Sequence, residues 1–147
     1  MDKEKLNLVY ISLGSNLGDK KDNLDKAINM LHLRIGKVTK QSTYITTKPE
    51  DMQNAGDFLN ACVEIYTIFN PEELLNQLKK IEFEFGRDPS SKGKYESRII
   101  DLDIIFFNQL IYESNKLKIP HPKYHLREFV LIPLREINCI FLANVIE

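Results

Sequence analysis

The chain has 147 residues, of which 43% are hydrophobic, and its 20 Lys and Arg nearly balance its 21 Asp and Glu. This length predicts a single domain over residues 1–147, because a chain of this size can bury enough surface to form a full core. The formal net charge of −1 excludes a protein that holds nucleic acid mainly through its phosphates. No stretch of about 18 uncharged apolar residues occurs, so the sequence predicts no membrane span.

The two cysteines and the amino terminus indicate the compartment. Cys62 and Cys139 lie in apolar stretches without metal-ligand spacing, which predicts buried free thiols in a reducing environment. Residues 1–5 are mostly charged and precede a strand-like run, which is not the pattern of a signal peptide. We therefore expect a cytoplasmic protein. We also expect it to be a monomer without nucleic-acid or membrane partners.

The first part of the chain predicts a strand, a turn and a helix. An apolar, β-branched run over Leu6–Leu13 predicts a buried strand. Residues 14–19 predict a turn, with Asp19 as the N-cap of the helix and Gly36 just past its end. The apolar stripe of this helix is formed by Leu24, Ala27, Ile28 and Leu31.

The middle of the chain predicts two strands and a second helix. Val38–Thr47 and Phe58–Phe69 are rich in β-branched and aromatic residues, and the polar loop 48–57 joins them. Asn70 is a good N-cap, and Pro71 suits the first helical position. The apolar stripe of this second helix is formed by Leu74, Leu78, Ile81 and Phe85, before Gly86.

The last third predicts a loop, a strand, a hairpin and a short helix. Residues 87–98 lack periodicity and are rich in turn formers, which predicts a surface loop. Ile99–Phe107 is the most strand-like stretch of the chain and is followed by a short hairpin through Asn108 and along Lys116–Ile119. The final helix is predicted over Phe129–Ile137.

The order strand, helix, strand, strand, helix, strand corresponds to two split β-α-β halves. Such halves form a ferredoxin-like α+β core, in which the sheet is mostly antiparallel. We expect the helices to pack on one face of that sheet.

Asp101 and Asp103 are the most informative residues for chemistry. Side chains alternate along a strand, so both carboxylates are predicted on one face, about 6.6–6.8 Å apart along the backbone. A divalent cation such as Mg²⁺, bound through these carboxylates and substrate phosphates, would relieve their repulsion. The alternative is a solvated strand face that carries two acids. The opposite, core-facing side is predicted to hold Ile100, Leu102, Ile104 and Phe106.

Two groups of cations surround this acid pair in the sequence. Cations flanking carboxylates suit a metal-bound polyphosphate, in which Arg and Lys bind the remaining oxygens. A network of surface salt bridges is the alternative for each of them taken singly. The first group is Arg87, Lys92, Lys94 and Arg98, and the second is Lys116, Lys118, Lys123 and Arg127.

Two other segments have a more ambiguous pattern. Residues 14–18 link a strand to a helix but match no known phosphate-loop pattern, so we interpret them as turn geometry. His121 lies between two prolines and is predicted to be either a donor to phosphate or a structural histidine. His125 follows four residues later, but Pro122 disfavours a helix there and therefore a zinc site.

Phe58 and Phe129 each border a polar segment. Two aromatic rings can enclose a flat heterocycle while an amide such as Asn60 binds its edge. Core packing is the alternative for either ring.

Four segments together resemble 6-hydroxymethyl-7,8-dihydropterin pyrophosphokinase, a family of folate biosynthesis. They are Leu-Gly-Ser-Asn-Leu-Gly at 13–18, Asp-Phe-Leu-Asn-Ala at 57–61, and Arg-Ile-Ile-Asp-Leu-Asp-Ile at 98–104. The fourth is Ile-Pro-His at 119–121 with Arg-Glu-Phe at 127–129. The resemblance covers nearly the whole chain.

This resemblance implies transfer of the pyrophosphoryl group of ATP to the hydroxymethyl oxygen of the pterin, with release of AMP. It implies that Asp101 and Asp103 hold two Mg²⁺ ions and act in catalysis together with Arg87 and Arg98, which close over the phosphates. The implied pterin-binding residues are Thr47, Glu50, Phe58, Asn60, Tyr95 and Phe129. The implied ATP-binding residues are Lys79, Glu82, Arg98, Lys116, Lys118, His121 and Arg127.

Two other functions fit parts of the pattern. A ferredoxin-like RNA-binding module stacks bases on aromatic residues of its central strands, but Asp101 and Asp103 would repel phosphates without a metal. A metal-dependent phosphohydrolase would use the same acids and release phosphate from ATP without a pterin.

Overall fold

The computed structural model describes residues 5–47, 57–86 and 99–142, which form three helices and seven strands. None of the described helices is long and apolar enough to cross a membrane. In chain order the elements are β1 (Asn7–Ser15), α1 (Lys20–Arg34), β2 (Gly36–Gln41), β3 (Ile45–Thr47), β4 (Phe58–Thr67), α2 (Pro71–Glu84), β5 (Asp101–Phe107), β6 (Tyr112–Glu113), β7 (Lys118–Ile119) and α3 (Glu128–Glu136).

The main sheet has the strand order β2-β4-β1-β5, and every neighbouring pair is antiparallel. The short strand β3 extends the sheet by pairing with the beginning of β4. Because β1-α1-β2 and β4-α2-β5 are two split β-α-β units, this order confirms the predicted ferredoxin-like α+β core.

The sequence signals for the first two helices are confirmed. The Asp19 side chain accepts a hydrogen bond from the Asp22 backbone N–H at the start of α1. Asn70 and Glu73 form a reciprocal capping box at the start of α2, with Pro71 in the first turn. Both caps satisfy backbone donors that a helix leaves unpaired at its start.

The helices lie on both faces of the sheet, which corrects the prediction of one covered face. The first hydrophobic cluster packs α1 and α2 against one face of the sheet. Strand β1 contributes Val9, Ile11 and Leu13 to this cluster. The second cluster joins α3 to the other face through Tyr10 and Phe106. A helix predicted as the last element could not be assigned to a face, because its apolar stripe fits either side of a sheet.

The face toward α3 also buries polar side chains. Ser12, Asn60 and Glu64 are all less than 9% exposed. Glu64 accepts hydrogen bonds from the hydroxyls of Tyr10 and Thr39. These bonds are required because a buried polar group without a partner destabilises the fold.

Both cysteines are free and buried, as predicted, and burial raises the pKa of each thiol. Cys62 lies on the central strand β4, and Cys139 follows α3. Both belong to the cluster under α3.

The predicted strand Val38–Thr47 is in fact two strands, β2 and β3, separated by residues 42–44. The Ser42 N–H donates to the Cys62 carbonyl oxygen, and the Ser42 hydroxyl accepts from the Cys62 N–H. The Glu136 carboxylate at the end of α3 accepts from the backbone N–H and the hydroxyl of Thr43. Side-chain bonds therefore interrupt the ladder, and local β propensity could not reveal them.

The prediction that Phe106 faces the same side of β5 as Ile104 is wrong. Ile104 pairs with Ile11 and Phe106 pairs with Tyr10, so Ile105 is an extra residue on β5. Such a bulge reverses the alternation of the residues that follow. Ile100, Leu102 and Ile104 lie in the first cluster as predicted, but Phe106 lies in the second.

The chain after β5 turns at Asn108, which has a positive φ of 50°. The predicted hairpin pairs β6 with β7 in a separate two-stranded sheet, so Lys118–Ile119 does not return along β5. The Tyr112 hydroxyl and the Ser114 hydroxyl both donate to Glu72 on α2. These bonds fix the hairpin beside the first turn of α2.

Candidate active site

The functional side chains lie at one end of the α3-facing side of the sheet. Gly14 on β1 pairs with Asn60 on β4 and with Asp101 on β5, which gives a row across three strands. Paired Cα atoms in antiparallel strands are about 4.5–5.5 Å apart, so the row places Asn60 about 9–11 Å from Asp101. The neighbouring row contains Ser12 and Asp103. The sheet therefore brings an amide and two acids onto one surface.

Asp101 and Asp103 are both partly exposed, and Leu102 between them is buried. This confirms that the two carboxylates leave the core on the same face of β5. The Leu102 N–H donates to the Glu82 carboxylate on α2 at 2.8 Å. Because β5 is an edge strand, this bond satisfies an amide that no neighbouring strand can reach. Glu82 thus anchors the backbone between the two acids.

The donor set of this acid pair fits Mg²⁺. Carboxylate oxygens are hard ligands, and Mg²⁺ commonly takes one or two of them together with substrate phosphates. Among the described residues there is no cluster of three or more His, Cys, Asp or Glu side chains that could hold a metal.

A cleft of about 320 Å³ opens beside Asp103. The β6-β7 hairpin lines one side with Lys116 and Lys118, and Leu75 of α2 lines another. His121 contributes to the same cleft. One of the two predicted acids, Asp103, and two cations of the second group, Lys116 and Lys118, thus line the same cleft, in an arrangement suited to a polyphosphate.

His121 is held in a fixed orientation at this cleft. Its backbone N–H donates to the Ile105 carbonyl oxygen, and its Nδ1 accepts from the Lys123 N–H at 3.1 Å. Burial and the positive charges of Arg127 and Lys123 lower the pKa of His121 to about 4. The neutral ring therefore carries its proton on Nε2 and can act as a hydrogen-bond donor.

The other end of the row carries the aromatic residues. Phe58 begins β4, Phe129 lies in the first turn of α3, and both rings are partly buried on the α3 side of the sheet. The Asn60 side chain is buried and its Nδ2 donates to the Thr47 hydroxyl at 2.7 Å. The Arg127 guanidinium carbon lies 5.4 Å from the Phe129 ring centroid. Arg127 thus connects the aromatic end with the His121 side.

Lys79 lies on α2 one helical turn after Leu75 and is partly exposed. It therefore follows a cleft residue on the same helical face. Four other candidates, Arg87, Arg98, Glu50 and Tyr95, lie outside the described residues.

Gly14 is the site residue that sequence reasoning missed. Residues 14–18 were interpreted as a turn, but Gly14 and Ser15 complete β1, and only Gly18 has the positive φ typical of a turn glycine. The signal was the alternation along β1, because Gly14 shares a face with Tyr10 and Ser12.

The fold and site define an α+β domain with acids, cations and aromatic residues gathered at one sheet end. The family model described as 7,8-dihydro-6-hydroxymethylpterin-pyrophosphokinase matches residues 10–139. A Bacillus subtilis 2-amino-4-hydroxy-6-hydroxymethyldihydropteridine pyrophosphokinase is 42% identical over 132 residues, which cover 89% of this chain and 78% of that protein. The enzyme of the same name from Porphyromonas gingivalis is 37% identical over 88% of this chain and 90% of its own length.

Among solved structures, a Plasmodium falciparum HPPK-DHPS crystal structure with pteroate has a TM-score of 0.69 at 16% identity. It covers 99% of this chain, whereas this chain spans 43% of that protein. This likeness supports the fold. The family match and the curated relatives show that the chain belongs to the 7,8-dihydro-6-hydroxymethylpterin-pyrophosphokinase family.

Proposed function

We propose that this protein transfers the β,γ-pyrophosphoryl group of ATP to the hydroxymethyl oxygen of 6-hydroxymethyl-7,8-dihydropterin, in folate biosynthesis. The observation that carries the proposal is the cross-strand row Asn60, Gly14 and Asp101. It joins an aromatic and amide end, suited to a flat heterocycle, to an acidic end beside a basic cleft. Family membership supports the same reaction.

The balanced step is a displacement at the β-phosphorus of ATP. The hydroxymethyl oxygen forms a bond to this phosphorus, the bond from the phosphorus to the α,β-bridging oxygen breaks, and AMP leaves. The hydroxymethyl proton is lost to solvent. Transfer of this kind depends on positioning and charge neutralisation more than on a nucleophilic side chain.

Asp101 and Asp103 would hold two Mg²⁺ ions. Bound there, the ions would neutralise phosphate charge and orient the reacting oxygens. Glu82 would keep the two carboxylates in place through its bond to the Leu102 N–H.

The cleft beside Asp103 would hold ATP. Lys116 and Lys118 would neutralise the polyphosphate, and the His121 Nε2–H would donate to a phosphate oxygen. Arg127, which influences His121 electrostatically, would contribute charge from the aromatic side. The remaining proposed ATP contacts are Lys79 and Glu82 on α2, together with Arg87 and Arg98, which would also act in catalysis.

The rings of Phe58 and Phe129 would enclose the pterin ring from its two sides. Asn60, oriented by Thr47, would bind the edge of the heterocycle. Glu50 and Tyr95 complete the proposed pterin-binding set. The hydroxymethyl group would then project along the row toward Asp101.

Product analysis tests this function. Purified protein is incubated with ATP, Mg²⁺ and 6-hydroxymethyl-7,8-dihydropterin, and nucleotides and pterins are separated by chromatography. We expect AMP and the pterin diphosphate in equal amounts. ADP would contradict pyrophosphoryl transfer, and phosphate release without a pterin would indicate the phosphohydrolase alternative. A second incubation without Mg²⁺ tests the metal requirement.

We further propose that residues 1–147 act as one domain in a cytoplasmic monomer. Two hydrophobic clusters on opposite faces of one sheet support a single folding unit. Sedimentation equilibrium should give a mass of about 17.1 kDa. A mass near twice this value would contradict the monomer.

A further inference from the structure

Gly14 needs an explanation that backbone conformation does not supply. It lies within β1, and the described glycines with positive φ are Gly18 and Gly86 instead. An alanine could therefore adopt the backbone of Gly14 without strain. The reason for a glycine must lie in what surrounds its α-carbon.

Two side chains occupy the space that a Cβ atom at Gly14 would enter. An ideal Cβ would lie 3.1 Å from Asn60 Oδ1 and 3.3 Å from Phe58 Cδ1, with Phe58 Cε1 at 3.7 Å. The two shorter distances are tighter than ordinary van der Waals contacts, so the neighbours would have to move by a few tenths of an ångström. Both neighbours belong to the proposed pterin end of the site.

We propose that Gly14 is a positioning residue of the pterin subsite, which acts through Phe58 and Asn60. Its missing side chain lets the Phe58 ring and the Asn60 amide lie close to β1. Their height above the sheet sets the gap between Phe58 and Phe129 and the position of the amide that binds the heterocycle edge. This inference rests on the proposed function.

The variant Gly14→Ala tests the inference. We expect the KM for the pterin to rise about tenfold, because overpacking would displace two substrate-binding side chains by a few tenths of an ångström. The KM for ATP should change less than about twofold, since the three atoms nearest to the methyl group belong to Phe58 and Asn60, and neither residue lines the cleft. Equilibrium titration of pterin fluorescence gives a second, activity-independent readout.

Gly18→Ala is the matched control. A Cβ at Gly18 would meet only Asn23 Nδ2 at 3.8 Å, but the φ of +75° makes the substitution strained. It should lower the thermal midpoint and leave the KM for the pterin unchanged. The control thereby separates a general loss of stability from a change in the positions of Phe58 and Asn60.

A double-mutant cycle with Phe58→Ala provides a further readout. Phe58→Ala removes the ring atoms that the new methyl group would contact and leaves the 3.1 Å contact with Asn60 Oδ1, so adding Gly14→Ala in that background should weaken pterin binding by clearly less than tenfold. A full tenfold effect in both backgrounds would overturn the inference.

The outcomes separate the inference from the proposed function. If wild-type protein forms pterin diphosphate and Gly14→Ala binds and turns over the pterin equally well, the inference is overturned. If Gly14→Ala is unfolded, the methyl group disrupts the sheet rather than the positions of Phe58 and Asn60, and the inference also fails. If wild-type protein forms no pterin diphosphate, the proposed function fails first.

Discussion

The two faces of the central sheet differ in chemistry although the same strands build both. Along β1, Val9, Ile11 and Leu13 enter the aliphatic core under α1 and α2. The residues between them, Tyr10 and Ser12, point toward α3 with Gly14 beyond. The face toward α1 and α2 is therefore aliphatic throughout the buried part of β1. The other face combines the hydrophobic cluster under α3 with the buried polar side chains of Ser12, Asn60 and Glu64, and the site residues lie at the Gly14 end of this second face.

The largest effect should follow from Asp101→Asn. This variant removes one of the two carboxylates on the α3 side of the sheet and leaves the aliphatic core under α1 and α2 unchanged. We expect activity to fall by about 10³-fold or more, because the stabilisation supplied by a bound metal ion amounts to several kcal/mol. The unfolding midpoint in urea should stay unchanged, since Asp101 is not buried. Asp22→Asn, at an exposed position on α1, is the control and should keep full turnover. Normal turnover in Asp101→Asn would contradict the proposal that Asp101 holds a metal ion.

The aliphatic face should show the reverse behaviour. Leu31→Ala removes a fully buried side chain of α1 and should lower the free energy of unfolding by about 3 kcal/mol. Turnover per folded molecule should be unchanged, because Leu31 belongs neither to the lining of the cleft beside Asp103 nor to the row from Asn60 to Asp101. Leu33→Ala on the same helix is the control, since Leu33 is 72% exposed and should have an effect within about 0.5 kcal/mol. Similar losses in the two variants would refute this assignment of the core.

Glu82 connects the two faces, because it reaches from α2 to the backbone between the two acids. Glu82→Ala leaves the buried Leu102 N–H without an acceptor, which should cost about 2 kcal/mol of stability. Glu82→Gln retains an acceptor and should restore most of this loss. Hydrogen exchange at the Leu102 amide provides the direct measurement, with fast exchange in the alanine variant only. Equal exchange of the Leu102 amide in both variants would contradict the proposal that Glu82 anchors the backbone between the two acids.

Thr47 sharpens the comparison at the pterin end. Thr47→Val keeps the shape but removes the hydroxyl that accepts from Asn60 Nδ2. A lost hydrogen bond of about 1 kcal/mol predicts a roughly fivefold rise in the KM for the pterin. The neighbouring Thr46→Val is the control, because Thr46 is exposed and its side chain alternates to the other face. Equal effects of the two substitutions would contradict the orienting role.

A pH dependence of stability should follow from His121. The pKa of His121 is lowered from 6.5 to about 4 in the folded protein, so the unfolded chain binds more protons between these values. Its contribution to stability is present above pH 6.5 and is lost as the pH falls toward 4. An NMR titration of the metal-free protein should place the ring midpoint near 4. A midpoint close to 6.5 would show that the ring is neither buried nor repelled by cations.

The sequence could predict the elements whose signals are local. The caps at Asp19 and Asn70, the helical stripes and the alternation around Asp101 depend on neighbouring residues, and all of them are confirmed. The resemblance to a family added the expected site residues, which single-residue patterns could not supply.

The features that the sequence did not predict depend on long-range contacts. The break between β2 and β3 is held by Glu136, more than 90 residues away. The bulge at Ile105 changes the face of Phe106, and nothing in the local pattern announces an extra residue. The role of Gly14 requires the strand pairing that places Asn60 and Asp101 on either side of it. The missing information was therefore strand register for Phe106 and Gly14, and a side-chain contact from a distant helix for the break.

The most direct test of the central claim is a crystal structure with a non-hydrolysable ATP analogue, Mg²⁺ and 6-hydroxymethyl-7,8-dihydropterin bound together. The account predicts the heterocycle between Phe58 and Phe129, the metal on Asp101 and Asp103, and the hydroxymethyl oxygen directed toward Asp101. A heterocycle bound elsewhere, such as the surface depression beside Leu6 and Tyr66 at the β2 edge, would contradict it.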